Sequence, residues 1–188
     1  WSSDVCSSDL GTLLQERLGR QIYPTHRLDF EVSGLLVFAK DSEAHRLASE
    51  AFESQRMHKV YQAISSPAPQ KIQVGAPFTI QSKLSKGKRR AYLDDDGKPC
   101  ETQVELIKNE SDHSIWKVSP KTGRPHQIRF ELSRLGAPIL GDTLYGSDCS
   151  WEVGIALRCL SILPSEDTHL TELGWPSDIQ LPGILYKR

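Results

Sequence analysis

Two short segments combine charged side chains with glycines in patterns that could do chemistry. In His26-Arg27-Leu28-Asp29, followed by Ser33-Gly34, a carboxyl group stands just ahead of the apolar run Gly34-Leu-Leu-Val-Phe-Ala39. An ionisable group at the mouth of a buried strand is held rigidly and partly desolvated, which is the setting a catalytic carboxylate needs. In Thr122-Gly123-Arg124-Pro125-His126-Gln127-Ile128-Arg129, a glycine turn opens onto a helical pattern. Such a turn gathers backbone N–H donors and basic side chains around one small volume, which suits a phosphate. A third feature is basic: Lys83, Lys86, Lys88, Arg89 and Arg90 put five positive charges into eight residues, partly offset by Asp94, Asp95 and Asp96. Each feature also has a plainer reading. Asp29 serves as a turn or capping residue, Arg129 as a solvated arginine on an amphipathic helix, and His26 and His126 as hydrogen-bonded structural residues. The basic run is then a solvated loop.

The elements that must position these groups follow from periodicity. Leu13, Leu14 and Leu18 predict a short helix over 12–18, stopped by Gly19. The Gly34–Ala39 run lacks alternation, as expected of a strand buried on both faces and central in its sheet. Asp41 or Ser42 caps a helix whose Ala44, Leu47, Ala48, Ala51 and Phe52 form one buried stripe. Strands are expected at Lys59–Ile64, Thr102–Ile107 and Ser114–Val118. Pro125 suits the first position of a helix that buries Ile128, Leu132 and Leu135 and ends at Gly136. Short strands mixed with a few separated helices predict an α+β fold: a mixed, largely antiparallel sheet with a few packed helices.

Composition sets the outer bounds. At 188 residues, 38% hydrophobic and 25% charged, the chain has the balance of one globular domain. No apolar stretch has the length of a membrane-spanning helix, and the expectation is a cytoplasmic monomer with no membrane partner. The four cysteines, Cys6, Cys100, Cys149 and Cys159, contain no C-x-x-C pair, which argues against a zinc knuckle or a disulfide framework. A net charge of -1 leaves any nucleic-acid argument to local clusters of charge. Residues 1–10, rich in serine and without period, are expected to be a non-native or unstructured leader ahead of one catalytic domain over 11–188.

H-R-L-D with S-G-L-L-V-F-A-K, the strand Lys59-Val-Tyr61, and T-G-R-P-H-Q-I-R with L-G-A-P-I-L-G-D-T-L-Y-G occur in order. Together they resemble the signature segments of the RluA family of RNA pseudouridine synthases, over about residues 20–147. The resemblance implies a pseudouridine synthase catalytic domain that isomerises uridines of ribosomal or transfer RNA without a cofactor or metal. It also implies Asp29 as the carboxylate at the sugar, Arg129 as its partner, and Tyr61 as a residue that stacks on the base or helps a proton leave. The target uridine must leave its stack, so RNA contacts are expected from His26, Arg27, Arg124 and His126, and from Lys83, Lys86, Lys88, Arg89 and Arg90.

The pattern is not followed everywhere. Phe30 and Val32 stand where a basic residue and a threonine are common in the resembled family, Pro125 where threonine is frequent, and Glu131 where histidine is usual. The family's opening strand, with its D-K-P-x-G-like turn, has no counterpart, which implies a missing N-terminal segment. The stretch from Arg158 to Trp175 is only faintly similar to the family's closing strands. Two alternatives follow: a catalytically impaired RNA-binding fragment of the same fold, and a metal-dependent phosphoesterase built on His26, Asp29 and His126.

Overall fold

The computed structural model describes residues 5–165, together with 175 and 181–183. Helix α1 (Val5–Leu18) is followed by the short strands β1 (Tyr23–Pro24), β2 (Ser33–Gly34) and β3 (Phe38–Ala39), then by helix α2 (Ser42–Glu53). Five strands come next: β4 (Met57–Ser65), β5 (Phe78–Lys86), β6 (Ala91–Leu93), β7 (Lys98–Asn109) and β8 (Ser114–Pro120). Helix α3 (Gln127–Arg134), a 3-10 turn at Thr143–Tyr145 and strand β9 (Leu157–Pro164) complete the order.

Seven strands form one sheet in the order β2-β9-β4-β8-β7-β5-β6. Among the described residues only the β2–β9 pairing is parallel, so the sheet is mixed and largely antiparallel, as the pattern of elements predicts. Facing residues in register share one side: Tyr61 lies opposite Val118, which lies opposite Val104, and Ala63 opposite Trp116, which lies opposite Leu106. Ala63, Leu106, Trp116, Val118 and Leu132 are wholly buried, which sets α3 against this face. Trp116 donates its indole N–H to Ser65 Oγ at 2.8 Å, so the largest core side chain leaves no orphaned donor.

The predicted helix over the Ala44–Phe52 stripe is α2, capped by Asp41, whose carboxylate accepts from Ala44 N–H at 2.8 Å. The three predicted strands lie within β4, β7 and β8. Three expectations need correction. Helix α1 begins at Val5 rather than Thr12, upstream of its leucine pattern, because backbone hydrogen bonding extends a helix without an amphipathic stripe. Helix α3 begins at Gln127 rather than Pro125, because His126 takes a left-handed conformation (φ 56°, ψ 18°). Pro125 and His126 are the middle of a turn closed by Gln127 N–H to Arg124 C=O, with proline and a positive-φ residue in type II order.

The Gly34–Ala39 run is not a central strand. Ser33 and Gly34 pair with β9 at the edge of the large sheet, and the chain then leaves it, so that Phe38 and Ala39 pair with β1 in a separate two-stranded sheet. Leu35 and Val37 are only partly buried against the core. Lack of alternation reported apolar contact on both sides of the run, but that contact comes from two different layers. Of the stretch expected to hold closing strands, β9 is described; residues 166–174 lie outside the described residues.

Gly34 shows how tightly β2 is laid against β9. Its φ is +122°, and a Cβ built there would stand 2.3 Å from the carbonyl oxygen of Cys159. Gly34→Ala is therefore expected to destabilise the fold by about 3 kcal/mol or to detach β2, read as a lower urea midpoint.

Candidate active site

The two chemically marked segments converge. Asp29 opens a turn closed by Val32 N–H to its carbonyl at 3.0 Å, and Ile155 N–H binds the carbonyl of Glu31 at 3.0 Å, which pins the turn to the chain entering β9. Gly154, with φ +67°, lies so close that a Cβ there would meet Glu31 O at 2.3 Å. From α3, Arg129 reaches back beneath this turn. Its Nη1 lies 3.0 Å from Glu31 Oε2 and 3.6 Å from Asp29 Oδ2, an ion-pair distance rather than a direct hydrogen bond. The Asp29 side chain is 20% exposed, so it is partly desolvated yet open to a ligand.

The strongest partner of Arg129 is Asp142. Arg129 Nε donates to Asp142 Oδ2 at 2.7 Å and Nη2 to Oδ1 at 2.8 Å, a two-bond fork between groups exposed by 2% and 1%. Burial works against the arginine's charge, and the Asp142 carboxylate more than offsets it, so the guanidinium is held protonated above its ordinary range. The Tyr145 ring lies 5.3 Å from the guanidinium carbon and covers it further.

Tyr61, on β4 beside a register shift at Val60/Tyr61, is buried and reaches the same cleft. Burial pushes its hydroxyl well above the usual phenol range, helped by the neighbouring Cys159 thiol and by Asp29. It therefore stays a neutral phenol at ordinary pH, able to stack and to donate a hydrogen bond but not to act as a standing base. Lys59, two residues earlier on the strand, also lines the cleft, and burial lowers its pKa.

The cleft is open to solvent. Arg27, Asp29, Tyr61, Arg124, His126 and Arg129 all line it. The Thr122–Arg124 turn is braced by Gln127, whose Oε1 accepts from Arg124 N–H and from Thr122 Oγ1, both at 2.9 Å, while its Nε2 donates to Glu101 O and Thr102 Oγ1. The Arg124 N–H expected to cradle a phosphate is thus satisfied internally, and Arg124 Nε donates to Pro99 O at 3.1 Å. His126 Nδ1 lies 2.9 Å from Tyr145 Oη, and burial lowers its pKa.

Other predicted contacts divide. His26 faces inward: its Nε2 accepts from Val37 N–H at 3.1 Å, and its ring stacks on Phe52 at 5.0 Å. Burial, aided by Lys59, lowers its pKa to about 4. Lys86, Lys88 and Arg89 line a second cleft next to Asp29, whereas Lys83 gives its ammonium to Asp95 O at 2.8 Å. Arg90, exposed, closes the hairpin turn through its carbonyl, which accepts from Gly87 N–H. Among the described residues no group of three His, Cys, Asp or Glu side chains is placed to hold a metal ion, so His26, Asp29 and His126 do not assemble as ligands. No described helix is long and apolar enough to cross a membrane.

Sequence reasoning missed Asp142, Glu31, Lys59 and Gln127. Asp142 lies within the quoted L-G-D-T-L-Y-G segment, and a carboxylate between glycines in an otherwise apolar stretch was its one available signal.

An aspartate, a buried arginine and a neutral tyrosine thus meet at a cleft beside a basic hairpin in an α+β domain. The chain belongs to the RNA pseudouridylate synthase family, whose sequence model matches residues 2–134, more than half of its length. It is 41% identical over 128 residues to ribosomal large subunit pseudouridine synthase C of Rickettsia prowazekii, covering 65% of this chain and 41% of that one. It is 34% identical over 149 residues to tRNA pseudouridine synthase C of Haemophilus ducreyi, covering 71% and 59%. The chain spans about half the length of the curated relatives it matches. Among solved structures, the human RNA Pseudouridylate Synthase Domain Containing 1 superposes with a TM-score of 0.70 at 22% identity, covering 93% of this chain and 81% of that one, which bears on the fold.

Two outcomes follow from this geometry. Asp142→Ala leaves a buried guanidinium without its main partner and should cost about 3 kcal/mol in urea denaturation. His26 is neutral in the fold down to about pH 4, whereas the unfolded chain protonates it near 6.5, so its contribution is intact above pH 6.5 and lost as pH falls towards 4. The wild type should lose up to about 3 kcal/mol across that window relative to His26→Gln, measured by denaturation at stepped pH.

Proposed function

We propose that this chain isomerises uridines of ribosomal or transfer RNA to pseudouridine, as a cytoplasmic monomer and without a cofactor, using Asp29 as its reactive carboxylate. The observation that carries the reading is the placement of Asp29 Oδ2 at 3.6 Å from Arg129 Nη1, on the wall of a cleft that Tyr61 also lines. Membership of the family supports the reaction class. The relatives' names divide between ribosomal and transfer RNA, which supports RNA as the substrate class rather than one particular molecule.

The isomerisation breaks the bond from the sugar's anomeric carbon to N1 of uracil and forms one from the same carbon to C5, after which C5 gives up its proton and N1 gains one. Atoms and electrons balance within the nucleotide, so no oxidant or reductant is required. A carboxylate at the sugar either attacks the anomeric carbon or takes a proton beside it, and either step requires Asp29 to be ionised and within reach. Tyr61, as a neutral phenol, offers the released base a flat face and a hydrogen-bond donor. Arg27 and His126, lining both the main cleft and its neighbour, flank the route by which an everted nucleotide would enter.

Asp29→Asn keeps the shape and removes the charge. Incubated with unmodified ribosomal and transfer RNA transcripts, the wild type should form pseudouridine, mapped at single-nucleotide level, and the variant should be slower by roughly 10³-fold or more while still binding RNA. Turnover that survives the substitution would refute the role of Asp29, and RNA binding without turnover in the wild type would leave only a binding fragment.

A further inference from the structure

The turn that carries Asp29 also exposes Phe30, whose ring is 61% accessible and lies outside the core cluster. Single exposed apolar residues are ordinary on protein surfaces. Phe30 differs in its surroundings, because it lines an open cleft whose other walls include Leu144, Lys86, Lys88 and Arg89. This second cleft shares Arg27, Asp29 and His126 with the first, so the two are neighbours across the proposed catalytic carboxylate.

The second cleft is also charged. Its lining carries the carboxylates Asp29 and Glu31, both paired with Arg129, and four cations, Arg27 and the hairpin residues Lys86, Lys88 and Arg89. An anion is attracted by the cations, whereas the carboxylates are already met by Arg129, and an uncharged aromatic ring can lie on the exposed Phe30 of the same lining. The backbone beneath Phe30 is fixed at both ends of its turn, by Val32 N–H to Asp29 O and by Ile155 N–H to Glu31 O. Little ordering cost therefore remains when a ring stacks on it. A flat apolar face beside clustered cations is the combination that takes a nucleotide in single-stranded form, base on the ring and phosphate on the cations.

We propose that Phe30 and the β5–β6 hairpin form a subsite for the nucleotide adjacent to the target uridine, with its base stacked on Phe30 and its phosphate held by Lys86, Lys88 and Arg89. The assignment rests on the RNA reading given above but concerns a residue with no part in the chemistry. Phe30 contributes to grip and to the choice of neighbouring base, while Asp29, next to it in the chain, acts on the everted sugar.

The test uses the full chain and a short single-stranded RNA with one uridine flanked on each side by 2-aminopurine, whose fluorescence is quenched on stacking. Quenching is expected with the wild type and with Phe30→Tyr, and its loss with Phe30→Ala and Phe30→Leu, the latter keeping apolar bulk without a ring. Binding should weaken about tenfold in both. Lys88→Ala should flatten the salt dependence of binding while leaving the quenching in place. Quenching that persists in Phe30→Ala, or none in the wild type, overturns the subsite. Because the readout is binding, quenching that depends on Phe30 in a protein forming no pseudouridine on transcripts would sink the catalytic reading and leave the subsite standing.

Discussion

A positive charge carried into a protein interior must be met by negative charge and by hydrogen bonds aimed at each of its donors, and the guanidinium of Arg129 imposes that demand here. Asp142 satisfies one whole edge of the fork, which fixes its plane. With that plane fixed, Nη1 projects in one direction only, and the turn bearing Asp29 and Glu31 has to come to it. The turn is in turn held by Ile155 and by the close approach of Gly154, so the start of β9, the Asp29 turn and α3 are three parts of one electrostatic arrangement. Three carboxylates surround one arginine, and the least tightly held of them is Asp29, which leaves it open to a ligand in the cleft.

Around that centre the protein keeps several polar groups neutral by burying them. Tyr61 is held as a phenol, His26 as an unprotonated acceptor for Val37 N–H, and His126 is biased the same way. Charge beside the cleft is carried by the Arg129 cluster, by Arg27, Lys59 and Arg124 on its lining, and by the exposed hairpin turn. A polyanion approaching such a surface meets its main attraction at the rim and a more nearly balanced set of charges at the floor. That separation suits a site in which binding and bond rearrangement occur on one strand of nucleic acid but at different nucleotides.

Much of the scaffold was legible from local pattern. The stripe of α2, its Asp41 cap and strands β4, β7 and β8 announce themselves over a few residues, because the physics that forms them acts over a few residues. The pairing of Asp29 with Arg129 was legible only by resemblance, since nothing in a helix pattern says which way one arginine points. Asp142 was not legible as the partner: its significance comes from burial against a side chain thirteen positions earlier, a tertiary contact. The Gly34–Ala39 run misled about position for the same reason. Its apolarity reports contact on both sides without reporting whether one sheet or two supply it.

The hydroxyl of Tyr145 accepts from Ala91 N–H at 2.7 Å and shares a second hydrogen bond with His126 Nδ1 at 2.9 Å. One oxygen atom thereby ties the cationic hairpin, at Ala91 beside its turn, to His126 just ahead of α3. Any swing of the hairpin away from the body must therefore break the hydrogen bond of a buried amide, so the hairpin is fastened to the body beside the cleft that His126 lines.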